Sequence, residues 1–332
     1  MKKLFKTFFP TFICIFYSEV LFCQTAQNPK LHTPAEIMKI MEDSKLVYEI
    51  KDEFDPKSIV DTPRVLSNQM YLKEDKDGYT LLSFTLSEQA QPVYNEAEEA
   101  FHKKDYANAI ELYEKLIQVQ PSYFHALTLI GDAYYCSEKY DSAIIFFKRS
   151  IKNNFADYNA HWFLADTYNK CHLIDSALKE ITIAHLLNVN HENLIKALRN
   201  YRDKSNRPWK EWNYIPQYTL SKDGNRVTIN TTVNWFGYAL VKAVWKYEPG
   251  YAESMIGKTN TKLVINWPEE KEAVIASLSD SLKSERITPI IESDYISEFI
   301  IYELAAKRAP SMMMLLPRDS FYRVAEYVDK YH

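Results

Sequence analysis

A chain of 332 residues has room for two domains of ordinary size, and its formal net charge of −4 gives no reason to expect a nucleic-acid binder. Hydrophobic residues make up 46% and aromatics 14%, with only 6 glycines, which argues against extended disorder and against a fibrous repeat.

The first residues read as an address. Lys2, Lys3 and Lys6 form a basic start, and Phe8 to Tyr17 is an apolar stretch of the length of a signal-peptide core. The stretch is short for a membrane span and is broken by Pro10 and then Glu19. The expectation is export to the periplasm or cell envelope, with residues 1–23 removed and Gln24 first. A lipid anchor on Cys23 is the alternative, and the bulky Phe22 before it stands against that. Removing residues 1–23 takes away three Lys and one Glu, so the mature chain carries −6 and keeps only Cys136 and Cys171. Two cysteines do not make a disulfide framework.

Residues 24–89 are expected as an N-terminal extension with a short helix and a hairpin. Thr33-Pro34-Ala35-Glu36 combines an N-cap, a proline at the first helical position and a capping-box glutamate, predicting a helix to about Ser44. Arg64 to Leu72 and Tyr79 to Leu86 flank the turn signal Asp75-Lys76-Asp77-Gly78.

The middle of the chain has a period of 34 residues: Tyr-Ala-Asn-Ala-Ile at 106–110, Tyr-Asp-Ser-Ala-Ile at 140–144 and Ile-Asp-Ser-Ala-Leu at 174–178. In the first helix of each unit a small residue recurs at Ala97, Gly131 and Ala165. In the second helix Ala109, Ala143 and Ala177 recur, followed four residues later by Tyr113, Phe147 and Ile181. Two helices approach closely only where side chains are small, and large neighbours fill the gaps beside them. This pattern, with Pro121 closing the first unit, resembles the tetratricopeptide repeat (TPR) family. The resemblance covers 90–191, and Leu194, Ile195, Leu198 and Tyr201 on one face of the next segment make 192–204 a capping helix. Phe155 and Val189 stand where the second and third units would have proline, and Glu96 where an apolar residue is usual. The expected fold is therefore mainly α: a TPR-type helical-hairpin solenoid of three repeats plus a capping helix at 90–204, then a C-terminal α+β domain at 205–332.

That C-terminal domain resembles no family. Tyr218–Leu220 and Arg226–Val233 flank Asp223-Gly224 as a hairpin. Residues 234–247 are apolar nearly all round and read as a buried helix. Further helices are expected at 269–284, 293–307 and 319–330. The run Met312 to Leu316 reads as a buried connection.

Motifs that carry chemistry are missing. His191-Glu192 lacks a second histidine at Ile195, and Cys136 and Cys171-His172 lack the paired spacing of a structural zinc site. There is no nucleophile elbow and no phosphate-cradling glycine loop. No cofactor, metal or catalytic residue is implied.

The resemblance implies a peptide-binding face lined by the first helices of the hairpins. The matching residues are Tyr94, Glu98 and Phe101, with His102 beside them; His125, Thr128, Asp132 and Tyr135, with Cys136; and Asn159, Trp162, Asp166 and Asn169, with Lys170. The surface is aromatic and acidic. Sub-types that clamp a C-terminal carboxylate need Lys, Asn and Arg where this chain has Tyr94, Glu98, Leu129, Asn159 and Phe163, so no such clamp is expected. The expectation is a non-enzymatic, exported adaptor or assembly protein that holds a polypeptide with basic or aromatic segments. The alternative is a hydrolase whose active site lies in 205–332 and whose repeats recruit substrate.

Overall fold

The computed structural model describes residues 15–16, 29–58, 65–66, 70–75, 78–257 and 266–332. The expected leader and its cleavage point lie outside the described residues, apart from Ile15–Phe16, and so do the turn residues 76–77 and the start of the first expected strand.

In chain order the elements begin with strand β1 (Ile15–Phe16), helix α1 (Pro34–Glu42) and strands β2 (Val47–Lys51), β3 (Met70–Asp75) and β4 (Gly78–Ser83). The repeat helices follow as α2 (Ala90–His102), α3 (Tyr106–Val119), α4 (Ala126–Cys136), α5 (Tyr140–Asn153), α6 (Tyr158–Lys170), α7 (Ile174–Leu187) and α8 (Glu192–Lys204). Next come strands β5 (Tyr218–Asp223) and β6 (Arg226–Thr231), then α9 (Phe236–Tyr247), α10 (Tyr251–Ile256) and α11 (Trp267–Ala276). The chain closes with α12 (Ser281–Glu292), α13 (Ile296–Phe299), α14 (Met312–Leu315) and α15 (Arg318–Tyr331). The helical hairpins stand where the 34-residue period places them, and the fold of this region is of the TPR type.

Two compact units result. One comprises Met1–Val20 and Ser67–His172, the other Leu21–Leu66 and Leu173–His332. The division falls inside the third repeat, between α6 and α7, and not at 204/205.

In the first unit, successive helices from α2 to α6 pack on one another through the small residues: Ala97, Ala109, Ala143 and Ala165 are fully buried. At Gly131 an added Cβ would lie 2.5 Å from the Phe147 ring, so the close approach of α4 and α5 requires glycine there. The two descending turns are alike. Lys104 and Glu138 both have φ 62°, and the following amides, of Asp105 and Lys139, bond back to Ala100 and Tyr134. This is a Schellman closure made without glycine. The β3–β4 hairpin pairs Met70 with Ser83 through Asp75 with Gly78, and Phe84 and Leu86 after it pack on the first repeat.

The second unit is built around α9, where Tyr238, Ala239, Leu240, Val241, Ala243 and Val244 are buried as the sequence suggested. Its sheet has the order β2-β6-β5, with β6 antiparallel to β5 and parallel to β2. The β2 strand was not expected. The segment that carries α1 and β2 is thus part of this unit: α1, with its capping box formed in full, packs on α9. The single helix expected at 269–284 is instead α11 and α12, separated by a short 3-10 turn, with Asp280 capping the second. The helix expected at 293–307 is α13 followed by a π-helical segment, Ile300–Ala306. Met312, Met313 and Met314 are buried.

Candidate functional site

Positions four and then three residues apart fall on one stripe of a helix, and the first helices α2, α4 and α6 each carry such a stripe. Tyr94, Glu98, Phe101, Asp132, Tyr135, Asn159, Trp162, Asp166 and Asn169 are all half-buried.

Asp132 is the centre of its electrostatics. Burial pushes its carboxyl up to about 6, and the negative charges of Glu98 and Asp166 push the same way, while the Cys136 thiol, donating at 3.7 Å, offsets part of the shift. Glu98 and Asp166 are therefore both close enough for Asp132 to feel their charge. The Cys136 thiol is itself pushed up to about 11 by burial and by Asp132, which makes it a poor nucleophile. Glu98 accepts a 2.6 Å hydrogen bond from Tyr113 of α3, which anchors that acid to the hairpin. Aromatic rings flank the acids. Tyr94 meets Tyr123 edge-on at 6.3 Å, and burial and then Glu98 raise its hydroxyl pKa. Tyr135 lies 5.8 Å from Tyr140, and its hydroxyl is raised by burial and then by Asp166. Trp162 lies beside Phe163, and Phe101 packs against the core of the first repeat.

Two of the expected residues do something else. His125 and Thr128 are buried, at 8% and 0% exposure, and both bond Asp157 Oδ2, at 2.9 and 2.7 Å. Ser150 Oγ reaches the same oxygen at 3.4 Å, and Asp157 Oδ1 accepts the Ala160 amide as the N-cap of α6. Burial alone would raise the Asp157 carboxyl, but His125, Thr128 and the Ala160 amide hold it below its ordinary value. This network ties α4, α5 and α6 together, and it withdraws His125 and Thr128 from the open stripe. The reason is their place at the very start of α4, where the incoming loop and the N-terminus of α6 cover the first turn. Reading by repeat position missed the role of Asp157, although an aspartate immediately before a helical run is an N-cap signal.

Three buried acids of the second unit, Glu270, Glu272 and Glu303, are engaged within the fold. Glu270 accepts from Tyr238 at 2.5 Å and Lys242 at 2.9 Å. Glu272 accepts from Trp245 at 2.6 Å, Tyr251 at 3.0 Å and the His32 amide at 2.5 Å. Glu303, on the π-helical segment, joins Lys307, His332 and Tyr327. Burial lowers the Lys242 pKa, but Glu270 and Glu269 more than reverse this, so it is a fixed cation and no general base. His185 is pushed down to about 3, first by burial, and its Nε2 lies 2.8 Å from the Tyr302 hydroxyl. Among the described residues no helix is long and apolar enough to cross a membrane.

No family model matches the chain. Protein bimA of Emericella nidulans is 28% identical over 94 residues, which is 28% of this chain and 12% of that protein, so the chain spans a small part of that relative. Among solved structures, the first TPR of Spaghetti (RPAP3) bound to an HSP90 peptide is 18% identical, with TM-score 0.34, and covers 37% of this chain and 97% of its own. The Yersinia enterocolitica type III secretion chaperone SycD, in complex with a peptide of the translocator YopD, is 14% identical at TM-score 0.34, covering 36% and 97%. MamA from Desulfovibrio magneticus RS-1 is 17% identical at TM-score 0.32, covering 36% and 67%.

Proposed function

We propose that the protein is an exported adaptor or assembly protein whose face along α2, α4 and α6 holds a segment of a partner polypeptide rich in basic or aromatic residues. The observation that carries this reading is the placing of Glu98, Asp132 and Asp166 on one half-buried face, where the charges of Glu98 and Asp166 both reach Asp132. Acids held together in a half-buried face reinforce one another's field and attract lysine or arginine, and Tyr94, Tyr135 and Trp162 offer such side chains ring faces. A cation bound there offsets the burial, and the lesser repulsion from Glu98 and Asp166, that raise the Asp132 carboxyl. Asp132 must ionise to bind it, so affinity rises as pH rises through about 6.

The test is to titrate mature protein with a labelled lysine- and arginine-rich peptide, at two salt concentrations and between pH 5 and 7.5. Binding is expected to weaken with salt and with acid, and to be lost in Asp132→Lys/Asp166→Lys with helix content unchanged. Binding that survives the double substitution would make the acids structural and move the contact surface elsewhere.

A further inference from the structure

The exposed side of α5 is basic. Ile145, Lys148, Arg149 and Lys152 are all exposed and stand at helical spacing, so they form one stripe. The packed side of the helix is elsewhere: Ala143 is fully buried, and the Phe147 ring meets Gly131 of α4. At about 100° per residue, Arg149 lies roughly 200° around the helix from Phe147. The stripe therefore faces away from α4 and from the acid that α4 carries.

Two features set this stripe apart from an ordinary solvated surface. Lys152 follows Lys148 by four residues and Arg149 by three, the spacings at which like charges on a helix repel. Lysines of other helices meet an acid at such a spacing, Lys103 with Glu99 at 2.5 Å and Lys196 with Glu192 at 3.3 Å. The three cations of α5 form no ion pair among the described residues. Arg149 lies instead over the Phe146 ring, 4.9 Å from its centre, and Lys148 over the Tyr168 ring at 5.7 Å. Phe146 is itself stacked on Tyr134 at 5.3 Å, so the cationic heads rest on a packed aromatic base. The second feature is Ile145, a large aliphatic side chain left 57% exposed in line with the charges.

The face along α2, α4 and α6 has the opposite imbalance, since Glu98 and Asp166 both press their negative charge on Asp132. Each surface holds like charges together, and each offers what the other lacks. Within one copy the two stripes look in different directions, so they can meet only between copies.

We infer that the α5 stripe docks on the acidic face of a second copy of this chain, with Lys148, Arg149 and Lys152 set against the acids and Ile145 among the rings beside them. Such a contact relieves the repulsion within both surfaces, and because the surfaces differ it is head-to-tail. The inference rests on the reading of the acidic face as a binding surface and names one partner for it.

The experiment measures the mass of the full chain by sedimentation over a wide range of concentration, at low and at high salt. Wild type is expected to associate at low salt and to come apart at high salt. Lys148→Glu/Arg149→Glu and, separately, Asp132→Lys/Asp166→Lys should each weaken association by at least roughly tenfold, with helix content unchanged. The two variants mixed should associate again, because the altered stripe of one then matches the altered face of the other. A wild type that stays monomeric at low salt overturns the inference. So does association that Lys148→Glu/Arg149→Glu leaves as strong as before, or a mixture of the two variants that stays apart. The labelled lysine- and arginine-rich peptide separates this result from the reading beneath it. Peptide bound at the acidic face of a chain that does not self-associate removes the second copy alone, whereas a chain that neither binds the peptide nor associates removes both.

Discussion

The two units are held together by different means. In the repeat unit the cohesion is local: small residues at fixed spacing let neighbouring helices touch, and the closing turns repeat with the same φ. In the second unit it is long-range: Glu272 joins His32 to Trp245 and Tyr251, Glu248 accepts from Ser44 and Tyr48, and Asn188 bonds both the amide and the carbonyl of Leu66. Damage to a local design should stay local, and damage to a clip between distant segments should release a whole segment.

The largest effect is therefore expected at Glu272. In Glu272→Ala the buried Trp245 and Tyr251 donors and the His32 amide lose their acceptor, at a cost of about 3–5 kcal/mol. Hydrogen exchange should quicken through α1 and β2, and a loss confined to α11 would mean that the clip does not hold those two elements. In the repeats, Ala143→Leu should cost about 1–3 kcal/mol, because the fully buried contact of α4 and α5 has no room for a larger side chain. Exchange should there quicken in those two helices with the second unit unchanged, and an unmoved urea midpoint would mean that the hairpin packs differently.

Acid should separate the units next. His185 stays neutral in the fold to about pH 3, whereas in the unfolded chain it binds a proton below its ordinary value of 6.5. The second unit should lose stability as pH falls from 6.5 toward 3, by at most about 1.4 kcal/mol per pH unit, and His185→Gln should flatten that slope. Asp132 has the opposite sign: its folded pKa is raised from 3.8 to about 6, so the repeat unit gains stability as pH falls through that window. Asp132→Asn should stabilise by on the order of 1 kcal/mol at pH 7.5 and by nothing near pH 3.5. A gain of equal size at both pH values would show that charge is not the cause. Asp157, held low, adds a loss at more acidic pH, as it protonates through its depressed folded pKa. The smallest effect is expected at Glu138, whose φ of 62° costs a non-glycine residue about 1 kcal/mol, so Glu138→Gly should raise the thermal midpoint slightly.

The same contrast decides what the sequence reveals. Ala109, Ala143 and Ala177 announce the hairpins because each makes its contact within one 34-residue unit. Capping signals are equally local, and Thr33 with Glu36 starts α1 as expected. The β2 strand has no such voice: Val-Tyr-Glu-Ile-Lys is five residues long, and the partner that makes it a strand, β6, begins at Arg226. The acids at Glu98, Asp132 and Asp166 could be placed on one stripe by arithmetic. The withdrawal of His125 and Thr128 could not, because it depends on Asp157 arriving from the next repeat.

The parallel pairing of β2 with β6 also bears on the order of events while the chain is being made. Val47–Lys51 emerges early, but its partner strand is complete only at Thr231. At roughly 5–20 residues per second, synthesis leaves the first strand waiting on the order of ten seconds or more. Throughout that interval the repeat helices between them can already close on their nearest neighbours. The β2 strand is thus made early and paired late, and its backbone N–H and C=O groups stay with water until β6 arrives.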